Sequence, residues 1–146
     1  MHNIEAIDKL LITELGAAAT YRQMFEAFRK DGNFTEMAPL IAIYRGHKNA
    51  ISDLQAQIRE LGGKPADHSG VWQAWVKRVQ GANRLTTQAA LDILQQGEKH
   101  AAECYLQVLR NAELPLSIRC LIEWKLLLIQ ISHTRILDRL VPADIG

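Results

Sequence analysis

Hydrophobic and polar positions repeat with helical spacing in four separate stretches. In the first, Ile7, Leu11, Glu14, Ala18, Tyr21, Phe25 and Phe28 step alternately by four and three. Leu40, Tyr44, His47, Ile51, Leu54, Ile58 and Leu61 do the same, as do Leu91, Leu94, Glu98, Ala101, Tyr105 and Val108. The last stripe is Leu126, Gln130, His133, Leu137 and Leu140. Positions three and four apart share one face of a helix, and the period-two alternation of a half-buried strand is nowhere sustained. The pattern predicts helices over 3–30, 36–61, 87–110 and 116–140. Their limits carry turn chemistry: Asp31-Gly32-Asn33, a start at Thr35 ahead of Pro39, Leu61-Gly62-Gly63-Lys64-Pro65 and Asn111-Ala112-Glu113-Leu114-Pro115.

Two of the connections are short and predict antiparallel hairpins. The middle one spans about 25 residues, enough to run the roughly 35–40 Å length of such helices at 1.5 Å per residue. It contains Val71-Trp72-Gln73-Ala74-Trp75-Val76-Lys77-Arg78-Val79, which predicts a short amphipathic helix over 71–80. Trp72, Trp75, Val76 and Val79 fall on one side of it, as a cap on an open bundle end, an aromatic lid over the bundle or a groove for a partner. The expected fold is a single all-α domain over 1–146, a four-helix bundle with one long crossover, running up-down-down-up in the ferritin-like manner.

Four polar residues interrupt the stripes, one per helix: Glu14, His47, Glu98 and His133. All fall near mid-helix and so at one depth. Buried carboxylates and imidazoles are costly unless they satisfy one another or share a metal. Two of each are a suitable donor set for iron, manganese or zinc. A metal-free hydrogen-bonded cluster satisfies the same pattern. Tyr21 and Tyr105 lie two turns beyond the glutamates, as core filling or as a hydrogen-bond relay. His100 lies off the stripe, beside the site or on the surface, whereas His2 and His68 sit in a terminus and a loop.

The two halves of the chain echo each other. Glu14 and Tyr21 recur as Glu98 and Tyr105, 84 residues on, and Tyr44 and His47 as Gln130 and His133, 86 residues on. Two hairpins related by a pseudo-two-fold would set these pairs around one axis. Gly16, Gly46 and Gly97 stand close to the same level, and a mid-helix glycine costs roughly 1 kcal/mol against alanine. Their placement predicts close approach of neighbouring backbones there.

Glu14-Leu15-x-Ala17-x3-Tyr21 resembles the first-helix pattern of bacterioferritin and related ferritin-like proteins. The resemblance implies glutamates on the first and third helices and Glu-x-x-His on the second and fourth, holding two metal ions. Here Tyr44 and Gln130 stand where the glutamate of each Glu-x-x-His would be, and both histidines remain. The ordered set Glu14 to Gln23, His47, Leu61-Gly62-Gly63-x-Pro65, Ser69-Gly70-x-Trp72, Gly97-Glu98-x-His100 and Gln130-x2-His133-x3-Leu137 is similar to a bacterial ferritin-like family whose role is uncharacterised. It implies a non-storage structural or stress-associated module with a degenerate metal site. The rival is a metal-dependent oxidoreductase using one iron, manganese or zinc ion on Glu14, His47, Glu98 and His133, with Tyr44 or Gln130 bonded to a bound water or substrate.

Composition narrows the partners. Seventeen basic and sixteen acidic residues leave a net charge of +1, without the basic excess of a nucleic-acid binder. The N-terminus lacks signal-peptide character, and the most apolar run, Cys120 to Ile131, is too short and too charged to span a membrane. Two cysteines, Cys104 and Cys120, fit small buried hydrophobes in a reducing cytoplasm. No phosphate loop, Cys-x2-Cys pair or nucleophile elbow supports a hydrolase. The fourth helix is apolar on almost every face, through Leu121, Ile122, Trp124, Leu127, Leu128, Ile129 and Ile131. Cover by the crossover, or a homodimer, would bury the excess.

Overall fold

The computed structural model describes residues 3–31, 37–81, 85–111 and 113–140. It is all-helical, with no strand among the described residues. The elements are α1 (Asn3–Asp31), α2 (Met37–Glu60), α3 (Gln73–Gln80), α4 (Thr87–Asn111), α5 (Leu116–Leu121), a π-helical turn (Ile122–Leu126) and α6 (Leu127–Leu140). The last three run without a break as one C-terminal helix. The expected boundaries of the four long helices agree with these to within a residue, and the short helix begins at Gln73, two residues later than expected. Gly32, Asn33, Thr35, His2 and Ala112 lie outside the described residues.

Local chemistry explains the limits. Gly62 takes the left-handed conformation, φ +84°. Its N–H donates to Arg59 O at 3.0 Å and that of Gly63 to Ile58 O at 2.9 Å. This is the paired closure that satisfies the last carbonyls of a helix. At the start of α4, Thr86 Oγ1 accepts from Ala89 N–H at 3.1 Å, a cap worth about 1 kcal/mol. Pro115 precedes α5 and leaves no N–H to satisfy.

Two apolar clusters fill the interior. One joins Ile7, Leu10 and Leu11 with Leu54 and Ile58, Tyr105 and Val108, and Ile118, Ile122 and Leu126. The other joins Tyr21, Met24 and Phe28 with Leu40 and Ile43, Leu91 and Leu94, Trp75 and Leu137. Each cluster takes early residues of some helices and late residues of others, so α1 opposes α2 and α4, and α4 opposes the C-terminal helix. Between the clusters, at mid-helix, lies a buried polar layer of Glu14, His47, Glu98, Gln130 and His133.

The crossover follows the flank of α1. Gly63 stands beside Ile4, Gly70 beside Gly16, Trp72 bonds Thr20 and Trp75 bonds Gln23. The short helix buries Trp75 in the second apolar cluster, among residues of α1, α2, α4 and the C-terminal helix. One expectation changes here: the crossover does not cover the outer face of the C-terminal helix, where Trp124 is 75% and Leu128 53% exposed. Val79 is also exposed and leaves the apolar side of its helix to Trp75.

Candidate metal centre

The four polar residues of the stripes meet. His47 is fully enclosed and sits between the two carboxylates, its Nδ1 2.5 Å from Glu14 Oε2 and its Nε2 against Glu98 Oε1, with Glu98 Oε2 at 3.0 Å. The Tyr105 hydroxyl donates to Glu14 Oε1 at 2.7 Å. Gln130 Nε2 donates to the Glu98 main-chain oxygen at 3.0 Å and to its Oε2 at 3.2 Å. Those two acceptors fix the orientation of the Gln130 amide. His133 Nδ1 lies 3.4 Å from Glu98 Oε1, within ion-pair reach but out of line for a hydrogen bond. The two imidazoles have ring centres 4.5 Å apart.

Three buried polar atoms of this layer have no hydrogen-bond partner: Tyr21 Oη, Gln130 Oε1 and His133 Nδ1. Such atoms are uncommon in folded interiors and call for an explanation. Glu14, by contrast, has a partner on each oxygen.

The electrostatics follow from crowding. Burial alone would lower the His47 pKa, but the charges of Glu98 and Glu14 outweigh it and raise it to about 10. Burial would raise the Glu98 carboxyl; His47 and then His133 outweigh it and hold it at about 2. Burial and the facing carboxylates, Glu98 for Tyr21 and Glu14 for Tyr105, push both phenols well above their usual range. Both tyrosines therefore remain O–H donors.

His47, Glu98 and His133 form a group able to hold a metal, one ligand atom from each lying within 4.8 Å of the others. Glu14 is absent from that group. It stands on the far side of the His47 ring, where it braces the imidazole. Of the remaining expected neighbours, Tyr105 and Gln130 join the layer. Tyr44 is half-buried, packs edge-on against Phe25 with ring centres 5.7 Å apart, and makes no hydrogen bond to the described residues of the layer. His100 is exposed, its Nε2 3.7 Å from Cys104 Sγ one helical turn on, and takes no part. Cys104 is buried and Cys120 exposed, which corrects the expectation that both are buried.

The glycines do create close approach, to side chains more than to backbones. A Cβ at Gly46 would lie 2.5 Å from His133 Nε2, and one at Gly97 2.2 Å from the Trp72 ring. A Cβ at Gly16 would lie 3.2 Å from Gly70 O. Thr20 is a buried residue that sequence reasoning passed over: its hydroxyl donates to Gly16 O at 2.8 Å and accepts from Trp72 N–H at 2.8 Å. Nothing in its position on the stripe signals that role, since both partners depend on where the crossover lies.

No protein-family model, curated protein or solved structure matches the chain. Among the described residues, no helix is long and apolar enough to cross a membrane.

Proposed function

We propose that this chain is a ferritin-like, up-down-down-up bundle that holds one divalent metal ion, of the iron, manganese or zinc class, on His47, Glu98 and His133. The observation that carries the reading is His133 Nδ1, a buried basic nitrogen without a hydrogen-bond partner, beside the carboxylate that His47 Nε2 also contacts. Two imidazole nitrogens and one carboxylate suit such an ion and leave coordination positions open. The outer partners fit as well. A metal-bound histidine donates its other ring N–H to a carboxylate, and Glu14 occupies that position, itself held by Tyr105. Charge supports the same assignment. Two buried carboxylates and one imidazolium leave an unmatched negative charge, whereas a divalent ion on neutral imidazoles cancels both.

Bound there, the ion would supply a Lewis-acid centre. A dinuclear oxidase or storage function is not expected, because Tyr44 and Gln130 remove the two carboxylates that would bridge and charge-balance a second ion. A metal-binding module without iron-storage activity is the function this donor set supports best. We further propose a homodimer through the C-terminal helix, where Trp124 and Leu128 are exposed.

Metal analysis of gently purified protein tests the reading. One iron, manganese or zinc per chain is expected, with a rise in melting temperature on adding that metal and loss of both in His133→Ala. A metal-free protein with no thermal response to any of the three would leave His47 as a buried cation between two carboxylates and end the metal reading. Rapid ferrous oxidation with dioxygen uptake would overturn the non-oxidase part.

A further inference from the structure

On the side facing the crossover, the polar layer is closed by two aromatic layers. The Tyr21 ring lies against the His47 imidazole with ring centres 5.5 Å apart, and the Trp72 indole meets Tyr21 edge-on at 6.1 Å. Tyr21 is fully buried and Trp72 is half-buried. The indole occupies a groove where both flanking helices lack a side chain. A Cβ at Gly97 would fall 2.2 Å from it, and one at Gly16 3.8 Å from its Cδ1. Gly97 directly precedes Glu98, and Gly16 follows Glu14 by two residues, so the indole sits at the depth of the two carboxylates.

Its attachment is uneven. The main chain is pinned, Trp72 N–H donating to Thr20 Oγ1 at 2.8 Å. No described residue offers the indole N–H a hydrogen bond, so packing alone holds the ring. The opposite side of the layer is closed differently. There the α2 backbone at Gly46 lies directly on His133 and leaves no room even for a methyl group. A side chain can swing aside, whereas a helix backbone within a packed interior cannot.

We propose, on the basis of the metal reading above, that Trp72 is the access residue of the centre. Metal ions and small donor ligands reach Glu98, His47 and His133 through the groove between α1 and α4 when the indole swings out and the Tyr21 ring behind it turns aside. The bulk of the ring sets the size of what is admitted.

The test is exchange kinetics on the full chain loaded with Co2+ or Zn2+. Metal release to excess chelator and metal uptake by the stripped protein are timed for wild type, Trp72→Ala and Trp72→Phe. Trp72→Ala should accelerate both by roughly tenfold or more, the change that lowering a barrier by about 1.4 kcal/mol produces. Trp72→Phe, which keeps a ring in the groove and so protects the fold, should fall between the two. Because a plug slows passage in both directions, Kd should stay unchanged. Release that quickens alone, with Kd weakened in proportion, would mean that Trp72 supports ligand geometry and would overturn the proposal. So would rates equal to wild type in both variants. Wild type that binds no metal would sink the metal reading itself, and this inference with it, and is recognisable before any variant is made.

Discussion

Glu14 and Glu98 occupy matching places in the two halves of the chain and have opposite surroundings. Glu14 accepts from His47 and Tyr105, one on each oxygen, and is complete. Glu98 is touched by His47, Gln130 and His133, yet the buried atoms Gln130 Oε1 and His133 Nδ1 beside it are left without partners. The repeat has kept the residue types and divided the labour. One carboxylate is a brace that finishes its own hydrogen bonding, and the other is a donor in a layer that still has capacity. The tyrosines follow the same division: Tyr105 bonds across to Glu14, whereas its counterpart Tyr21 faces Glu98 without a well-formed hydrogen bond.

The largest expected effect separates the two glutamates. Glu98→Ala removes an anion from a buried pair, which costs about 3–5 kcal/mol, and should abolish metal binding. Glu14→Gln keeps an acceptor for Tyr105 and should cost about 1–3 kcal/mol. It should also weaken metal binding by roughly 10–100-fold, as loss of a partner behind a ligating histidine does. Chemical denaturation and metal titration of both variants check this. If Glu14→Gln lost the metal outright while Glu98→Ala kept it, the roles would have to be exchanged.

Acidity offers a second way to sharpen the contrast. In the metal-free protein, His47 is raised from 6.5 to about 10, so its contribution is full below pH 6.5 and fades as pH climbs toward 10. Glu98 is lowered from 4.5 to about 2, so its contribution is full above pH 4.5 and fades as pH falls toward 2. Stability from this pair is therefore greatest between those two ordinary values. Metal binding has the opposite slope above that window, because ligation by His47 Nε2 needs the neutral ring and protons compete with the ion. Melting temperatures with and without metal, followed from pH 6 to 9, should diverge; parallel curves would show that His47 is not a ligand.

A smaller effect is expected at Gly46 and its counterpart Ser132. Gly46→Ala places a Cβ 2.5 Å from His133 Nε2, an overpacking worth about 1–3 kcal/mol. Ser132 is exposed, its hydroxyl bonded to Ile129 O, and Ser132→Ala should stay within about 0.5 kcal/mol. Thermal melts of the two single variants decide it, and equal shifts would mean that the close approach of α2 to His133 carries no weight.

Much of this was legible in the sequence, for identifiable reasons. Helix periodicity and the glycine and proline signals at Gly62 and Pro115 are local, so the long helices and their lengths could be read directly. Glu14, His47, Glu98 and His133 stood out because each interrupts an apolar stripe, and stripes face one interior. Which oxygen meets which nitrogen is a matter of rotamers and inter-helix offset, which periodicity does not encode. Glu14 was therefore grouped with Glu98 and the two histidines, although it meets the other edge of the His47 ring from Glu98. The π turn at Ile122–Leu126 does leave a mark, since buried Ile118, Ile122, Leu126 and Gln130 step by four throughout where a regular helix alternates fours and threes, but the fourth stripe as read begins only at Leu126. The path of the crossover was hidden because Trp72 is placed by missing side chains at Gly16 and Gly97, on helices distant in sequence.

The smallest effect on stability, and the clearest on assembly, is expected on the outer face. Trp124 and Leu128 correspond through the repeat to Ala38 and Ala42, exposed residues of α2. The same two positions are thus small on one hairpin and large and apolar on the other, where Trp124 is 75% and Leu128 53% exposed. Neither supports the interior, so Trp124→Glu and Leu128→Glu should change unfolding stability by no more than about 0.5 kcal/mol. If the C-terminal helix forms a two-fold contact, each copy meets the same patch of the other, and a charge placed there is opposed twice. Light scattering should show a dimer for wild type at micromolar concentration and a monomer for either variant, while Ala38→Glu on the opposite hairpin leaves the dimer intact. A wild-type monomer would remove the contact altogether. Dissociation by Ala38→Glu and not by Trp124→Glu would move it to α2, and the asymmetry of the outer faces would then have no bearing on assembly.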